Sequence, residues 1–308
     1  MTVALLGECM IEFSPDKDGR YVAGYGGDTL NTTLYLARCG VAVDYITALG
    51  DDPFSAQMVA DWAREGIGTE RVLRVGGQVP GLYVIRRTSA GERSFLYWRD
   101  NAPVRKLFDL PGADAVLDNF QKYAWLYLSG ITLSLFARDR LADLLALLDR
   151  ARAQGCRIAF DGNYRRQGWP DRAAAQVAFN ETLARVDLAL PTLEDETALF
   201  GDVDADACIA RLQRLGVAEI VIKRGGDACM IATDGAIVHV PALTGIVPVD
   251  TTAAGDAFNA GYLAGRIAGL PPQQAASQGH RLAGAVIQHR GAIIPRAAMP
   301  DMQIGTTL

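Results

Sequence analysis

Asp250-Thr251-Thr252-Ala253-Ala254-Gly255-Asp256-Ala257-Phe258-Asn259-Ala260-Gly261 is the stretch whose reading decides the fold. It follows an apolar run, Ile246-Val247-Pro248-Val249, passes through small residues, and enters a segment with Tyr262, Leu263 and Ile267 as the apolar face of a predicted helix. Small residues let backbone N–H groups crowd together, and the first N–H groups of a helix have no intrahelical partner. Such a place attracts anions, phosphate above all. One carboxylate, Asp256, stands at its centre. Because a carboxylate repels phosphate, it needs another job, and the natural one is to take a proton from a hydroxyl that attacks phosphorus. The plainer reading is a turn capping a core helix, with Asp256 as a first-turn acid favoured by the helix dipole. On this stretch alone both readings stand.

The chain has 308 residues, enough for one large domain or a domain with a small appendage. Half of the residues are hydrophobic and 21% are charged, the balance of a soluble globular enzyme with a sizeable core. A formal net charge of -5 and the lack of a basic run argue against a nucleic-acid partner. The segment from Thr2 to Gly7 is apolar but short and has no basic flank, so it reads as a first strand rather than a signal peptide. No apolar run approaches membrane-spanning length. The five cysteines, Cys9, Cys39, Cys156, Cys208 and Cys229, are odd in number and not closely spaced. That is the pattern of reduced, mostly buried thiols, and the expected location is cytoplasmic. His239, His280 and His289 have no triad-like setting that would make a cysteine catalytic.

Working outward from the central stretch, short apolar runs alternate with helical patterns. Val3–Gly7, Val41–Leu49, Trp125–Gly130, Arg157–Phe160, Val186–Leu190 and Glu219–Ile222 read as strands. Leu30, Leu34 and Ala37 share one helix face; Leu141, Leu144, Leu145 and Leu148 share another. Asp52-Pro53 opens a helix by cap and N1 proline, closing near Gly66. This alternation predicts an α/β fold with a mostly parallel central sheet. Met10–Phe13 and the pair Leu82–Arg86 and Ser94–Arg99 break the rhythm. With Ser89-Ala90-Gly91 as its turn, the pair predicts a hairpin. Residues two apart share a strand face, so Tyr97 and Arg99 point one way and Leu96 and Trp98 the other. Trp98 is expected to be a packed aromatic. In Gly24-Tyr25-Gly26-Gly27-Asp28-Thr29-Leu30-Asn31, Asp28 is the predicted N-cap of the next helix. Two readings compete there: an ordinary glycine turn, or Gly26 and Gly27 letting a ligand touch backbone while Asp28 and Asn31 bond sugar hydroxyls. No internal repeat or low-complexity linker is present.

Several of these pieces together resemble the ribokinase (PfkB) family of carbohydrate kinases nearly end to end. They are Gly7–Glu12, Gly26–Asn31, Pro80–Tyr83, Tyr97-Trp98-Arg99, Asn163-Tyr164-Arg165, Val221–Gly225, Asp250–Asp256 and Gln288–Pro295. The central stretch is similar to that family's DTxGAGD-type signature. It departs from it at Ala253-Ala254, where many members carry Gly-Ala, a minor change if the local φ is negative. Within the family the resemblance is closest to the kinases of 2-keto-3-deoxygluconate. It implies a ribokinase-like α/β/α sandwich, one kinase domain over residues 1–308, with a small β-sheet lid formed by about residues 10–25 and 80–100. It implies ATP and Mg2+, with a monovalent cation such as K+ also considered. The implied reaction is phosphorylation of the 6-hydroxyl of 2-keto-3-deoxy-D-gluconate, and a homo-oligomer through the lid sheet is expected.

Carried over position by position, the resemblance makes Asp256 the general base. Gly26, Gly27, Asp28, Asn31, Tyr83, Tyr97, Arg99 and Arg165 join it around the sugar. Asn163, Lys223, Gly225, Gly226, Ala253, Ala254 and Gly255 fall around ATP. Thr192 and Asp195 stand where the family often has Asn-x-x-Glu, tied to magnesium through water. A carboxylate one methylene shorter is kept and the amide is gone, which leaves Glu194 to share that role. Two guanidinium groups in a closed pocket are costly without an anion to meet them, so Arg99 and Arg165 point to a sugar acid. The rivals are a fructokinase- or ribokinase-like kinase of a neutral sugar, a sugar-binding protein without catalysis, and a nicotinamide-dependent oxidoreductase. Asp256 argues against the second. Gly7-Glu8-Cys9 after the first strand, in place of G-x-G-x-x-G, argues against the third.

Overall fold

The computed structural model describes residues 1–302 except 17, 88–92 and 138, and the Ser89-Ala90-Gly91 turn therefore lies outside the described residues. In chain order the elements are β1 (Thr2–Leu6), β2 (Met10–Pro15), β3 (Tyr21–Gly26), α1 (Asp28–Arg38), β4 (Ala42–Gly50), α2 (Pro53–Arg64), β5 (Ile67–Gly68) and β6 (Val72–Val75). Then come β7 (Leu82–Arg87), β8 (Arg93–Trp98), α3 (Ala113–Leu117), β9 (Tyr123–Ser129), α4 (Gly130–Phe136), α5 (Leu141–Ala153), β10 (Arg157–Asp161) and α6 (Arg172–Leu183). The last are β11 (Leu188–Ala189), α7 (Leu193–Phe200), α8 (Ala205–Arg214), β12 (Glu219–Ile222), β13 (Cys229–Thr233), β14 (Ala236–Val240), α9 (Ala254–Ile267) and α10 (Pro272–Val286).

The central sheet runs β14-β13-β12-β11-β10-β9-β1-β4-β5, with β6 on β4. It is parallel from β12 through to β5, and only β13 and β14 are antiparallel. The near-continuous apolar run of β1 reports burial on both faces. Val3 and Leu5 enter the core beneath α1, α2, α9 and α10; Ala4 and Leu6 enter the core beneath α4, α5, α6 and α8. The strand expected over 186–190 is shorter, Leu188–Ala189, although Leu190 N still bonds the Phe160 carbonyl.

A separate four-stranded sheet, β3-β2-β7-β8, supplies the second layer over the site. Tyr83 faces Tyr97 and Ile85 faces Phe95 across the β7–β8 pair, and Met10, Tyr83 and Ile85 form a small apolar cluster. The opposite face carries Leu96 and Trp98, which are 43% and 60% exposed. Trp98 is thus not the packed aromatic expected from its composition, because it ends the edge strand of the small sheet.

Asp28 is the first residue of α1 rather than its cap. Gly27 occupies the cap position, with no side-chain hydrogen bond there. The glycine pair is explained by crowding within the protein. A Cβ on Gly26 would lie 2.4 Å from the Tyr83 hydroxyl, and one on Gly27 would lie 2.1 Å from the Glu8 carbonyl oxygen. Strands β1, β9, β10 and β12 end on the same edge, with Glu8, Ser129, Asn163 and Lys223 at or just beyond their ends. In open parallel sheets that edge is where ligands lie.

Candidate active site

Helix α9 begins at Ala254, and Ala253 caps it in the left-handed region, φ 60°, ψ 15°. The negative φ expected for Ala253 does not occur. The turn is set by tertiary contacts: Asp250 accepts from Thr252 N at 2.9 Å and from Gly291 N at 3.0 Å, tying it to the loop after α10. An L-residue held there costs roughly 1–2 kcal/mol. No side chain caps α9, so its first N–H groups face a cavity of about 360 Å³ lined by Thr251 through Asp256.

Asp256 lies in the first turn of α9, 8% exposed, and accepts a hydrogen bond from Asn31 Nδ2 at 2.8 Å. Burial pushes its carboxyl well above the usual range, and Asp28 and Asp161 push the same way, opposed by Asn31 and Lys223. A carboxylate so raised is a stronger base than a surface aspartate. Asp28, next to it, is also raised by burial and accepts from Asn163 Nδ2 at 2.7 Å. Asn163 reaches it from just beyond β10 with φ 30°, a left-handed conformation that asparagine tolerates.

Beneath the turn at the start of α9 lies a buried polar network that sequence reasoning missed. Lys223 Nζ donates to Asp161 Oδ1 at 3.0 Å and to Asn259 Oδ1 at 3.1 Å. Asn259 Nδ2 donates to Asp161 Oδ2 at 2.7 Å and to the Tyr127 hydroxyl at 3.0 Å. The available signal was spacing: Asn259 is three residues after Asp256 and shares its helix face. Lys223 therefore turns inward, while Gly225 and Gly226 line neither of the two cavities at the site.

The small sheet forms the other end. Tyr83 and Tyr97 line the larger cavity with ring centroids 6.0 Å apart, and Glu12 accepts from the Tyr83 hydroxyl. A second cavity of about 240 Å³ adjoins the first, sharing Gly27, Asp28, Tyr97 and Arg165 with it. Arg99 lines this annex and is ion-paired with Glu8, a residue only 3% exposed whose Oε1 makes no hydrogen bond among the described residues. Burial raises the Glu8 carboxyl, with Arg99 and Arg105 opposing. Arg105, which also lines the annex and bonds the Arg99 carbonyl at 3.0 Å, carried no signal in the sequence. Arg165 pairs with Asp195 at 3.0 Å. Neither guanidinium is uncompensated, so the cost argument made from sequence loses force. What remains is an annex rich in donors.

The structure brings Asn31, Asp28, Tyr83, Tyr97, Asn163, Arg165, Asp195, Lys223 and Ala253–Asp256 to one cavity and Arg99 to its annex. Gly26 and Glu194 line neither. Mg2+ takes hard oxygen ligands and few from the protein directly. Asp195, which lines the cavity, fits that requirement, whereas both oxygens of Asp161 are committed to Lys223 and Asn259.

A family model described as pfkB family carbohydrate kinase matches residues 2–299. The chain belongs to the pfkB family of carbohydrate kinases. Among relatives of this pfkB kinase, 2-dehydro-3-deoxygluconokinase of Dickeya dadantii is 44% identical over 97% of this chain and 98% of its own. A fructokinase of Klebsiella pneumoniae is 32% identical over 88% of this chain and 87% of its own. A solved putative ribokinase II of Escherichia coli, in complex with ATP and Mg2+, superposes with a TM-score of 0.82 at 20% identity, covering 94% of each chain, and shares the fold.

Proposed function

We propose that this pfkB kinase transfers the γ-phosphoryl group of ATP to the terminal 6-hydroxyl of 2-keto-3-deoxy-D-gluconate, also called 2-dehydro-3-deoxygluconate, giving 2-keto-3-deoxy-6-phosphogluconate. The observation that carries the reading is the pairing of two ends in one continuous site. A buried, raised Asp256 stands beside the uncapped start of α9, and three arginines, Arg99, Arg105 and Arg165, line the adjoining annex. The 44% identity to a named 2-dehydro-3-deoxygluconokinase supports it.

In this reading the sugar acid lies with its carboxylate toward the annex and its far hydroxyl at Asp256. Asp28 and Asn163, already bonded to each other, meet the intermediate oxygens, and Tyr83 and Tyr97 cover the chain from the small sheet, which acts as a lid. Asp256 takes the proton of the 6-hydroxyl as that oxygen attacks phosphorus. The N–H groups of Ala253 to Asp256 and the Lys223 ammonium offset charge on the transferred phosphate. Asp195 would hold Mg2+, directly or through water, and the ion would supply neutralisation of the phosphate charge. The outer face of the lid, with Leu96 and Trp98 exposed, is the face expected to pair in a homo-oligomer, and the five free thiols suit a cytoplasmic enzyme.

A second reading, a kinase of a neutral sugar such as fructose, is favoured by one observation: Arg99 and Arg165 already have carboxylate partners and do not require an anionic substrate. Coupled ADP-release assays on 2-keto-3-deoxygluconate and fructose separate the two. A higher kcat/KM on the sugar acid is expected; preference for fructose overturns the assignment.

A further inference from the structure

One ion pair spans the two ends of the site. Arg165 lines both cavities and Asp195 lines the larger. Arg165 Nη1 donates to the two carboxylate oxygens of Asp195 at 3.0 and 3.3 Å, and to the Tyr164 carbonyl at 2.7 Å. The Arg165 side chain is 55% exposed while that of Asp195 is 20% exposed. An ion pair with that much water around one partner is held weakly. The other carboxylate on this side of the cavity, Asp161, is instead committed to Lys223 and Asn259. Among the described residues, Arg165 is the only side chain that hydrogen-bonds Asp195.

We propose that Arg165 and Asp195 form an exchangeable latch that couples binding of the acceptor's carboxylate to binding of the metal–nucleotide. The inference rests on the sugar-acid kinase reading. A carboxylate entering the annex meets the planar Arg165 fork, which can pair with two oxygens at once. Asp195 then loses its cation while staying mostly out of water, and a carboxylate in that position is unfavourable without a counter-charge. The divalent cation, or water bound to it, supplies that charge. The exchange makes the two ligands help each other, and linkage requires the help to be equal in both directions. A neutral sugar brings no anion to draw Arg165 away, so it leaves the latch closed. Acid selectivity is then expressed partly in how tightly the enzyme holds its nucleotide.

The test is calorimetric titration of the whole enzyme with Mg2+ and the non-hydrolysable analogue AMP-PNP, with and without saturating 2-keto-3-deoxygluconate. The sugar acid should tighten Mg2+–AMP-PNP binding roughly 5- to 150-fold, the common span of coupling between sites, and fructose should leave it unchanged. Asp195→Asn removes the competing carboxylate. It should bind the sugar acid without Mg2+ at least as tightly as wild type and lose the coupling. A merely structural pair predicts the opposite, weaker acid binding in Asp195→Asn because Arg165 loses its support. Acid binding by wild type without coupling overturns the latch and leaves the sugar-acid assignment standing, and so does coupling that survives in Asp195→Asn. If wild type binds no sugar acid, the assignment and the latch fall together. Should Asp195→Asn not fold, the wild-type coupling factor alone decides.

Discussion

The two ends of the site are built differently. At the α9 end the charged side chains are buried and committed: Asp256 to Asn31, Lys223 to Asp161 and Asn259, Asp250 to the backbone of Thr252 and Gly291. These groups sit on α9 and on the ends of central strands, whose two faces are covered by helices. At the annex the groups sit on the edge of a four-stranded sheet and on a strand-end loop. One of its arginines, Arg165, is more than half exposed and paired with Asp195. On the proposed function, the difference is a division of labour. A reacting group needs fixed geometry and low dielectric, which the core supplies. A specificity group must exchange water for substrate, which a half-exposed ion pair can do at little cost.

The sharpest way to break the comparison is at the phosphate end. Asp256→Asn keeps the size of the side chain but cannot accept the proton, and turnover should fall roughly 10²- to 10⁴-fold, the usual range for losing a general base. Sugar-acid binding by calorimetry should change little. Because burial raises the Asp256 carboxyl, the wild-type rate should also fall on the acid side as that group protonates. Near-normal turnover in the variant would remove Asp256 from the chemistry.

At the carboxylate end the expected effect is smaller and selective. Arg165→Ala should weaken kcat/KM on 2-keto-3-deoxygluconate by about 2 kcal/mol, the low end for breaking a charge pair since this one is half exposed. Fructose should be affected far less, whatever its starting rate. Equal damage on both substrates would mean that Arg165 supports the fold of the loop and does not read the acid.

The two ends meet on α7, where neighbouring residues part company. Asp195 faces the cavity, whereas Glu196 turns inward, 2% exposed, to Arg211 at 2.5 Å. Burial raises the Glu196 carboxyl to about 7. With the folded pKa above the unfolded one, the folded state holds the extra proton between the ordinary value of 4.5 and about 7. Its stabilising contribution is complete below that window and is lost as pH rises through it. The melting temperature of Glu196→Gln should accordingly depend less on pH between these values than that of wild type. Parallel curves would place the ionised carboxylate in the ion pair throughout.

The smallest effect belongs to Ala253. Ala253→Gly relieves a left-handed alanine, roughly 1–2 kcal/mol, but frees the unfolded chain by about 0.4–1 kcal/mol. A net gain between about 0 and about 1.6 kcal/mol in denaturant unfolding is expected from that balance. A loss would mean that the Ala253 methyl makes a packing contact outweighing the strain.

What the residues settle by themselves is local. Apolar runs short enough for strands, leucines at helical spacing and the Asp52-Pro53 cap declared the α/β alternation. The Asp250–Gly261 stretch marked a helix start with a carboxylate in it. Each signal spans a few residues and depends on backbone sterics and on burial of one face. Tertiary structure alone decided the charge partners. Glu8 meets Arg99 across 91 residues, Lys223 meets Asp161 across 62, and Arg165 meets Asp195 across 30. Those pairings depend on the order of strands β12-β11-β10-β9-β1 and on where the small sheet sits over their ends. The same holds for Ala253, whose conformation is imposed by Asp250 and the loop at Gly291 against its own preference. Strand order is chosen by covering both faces of the sheet, a property of the whole chain, so no window of sequence contains it.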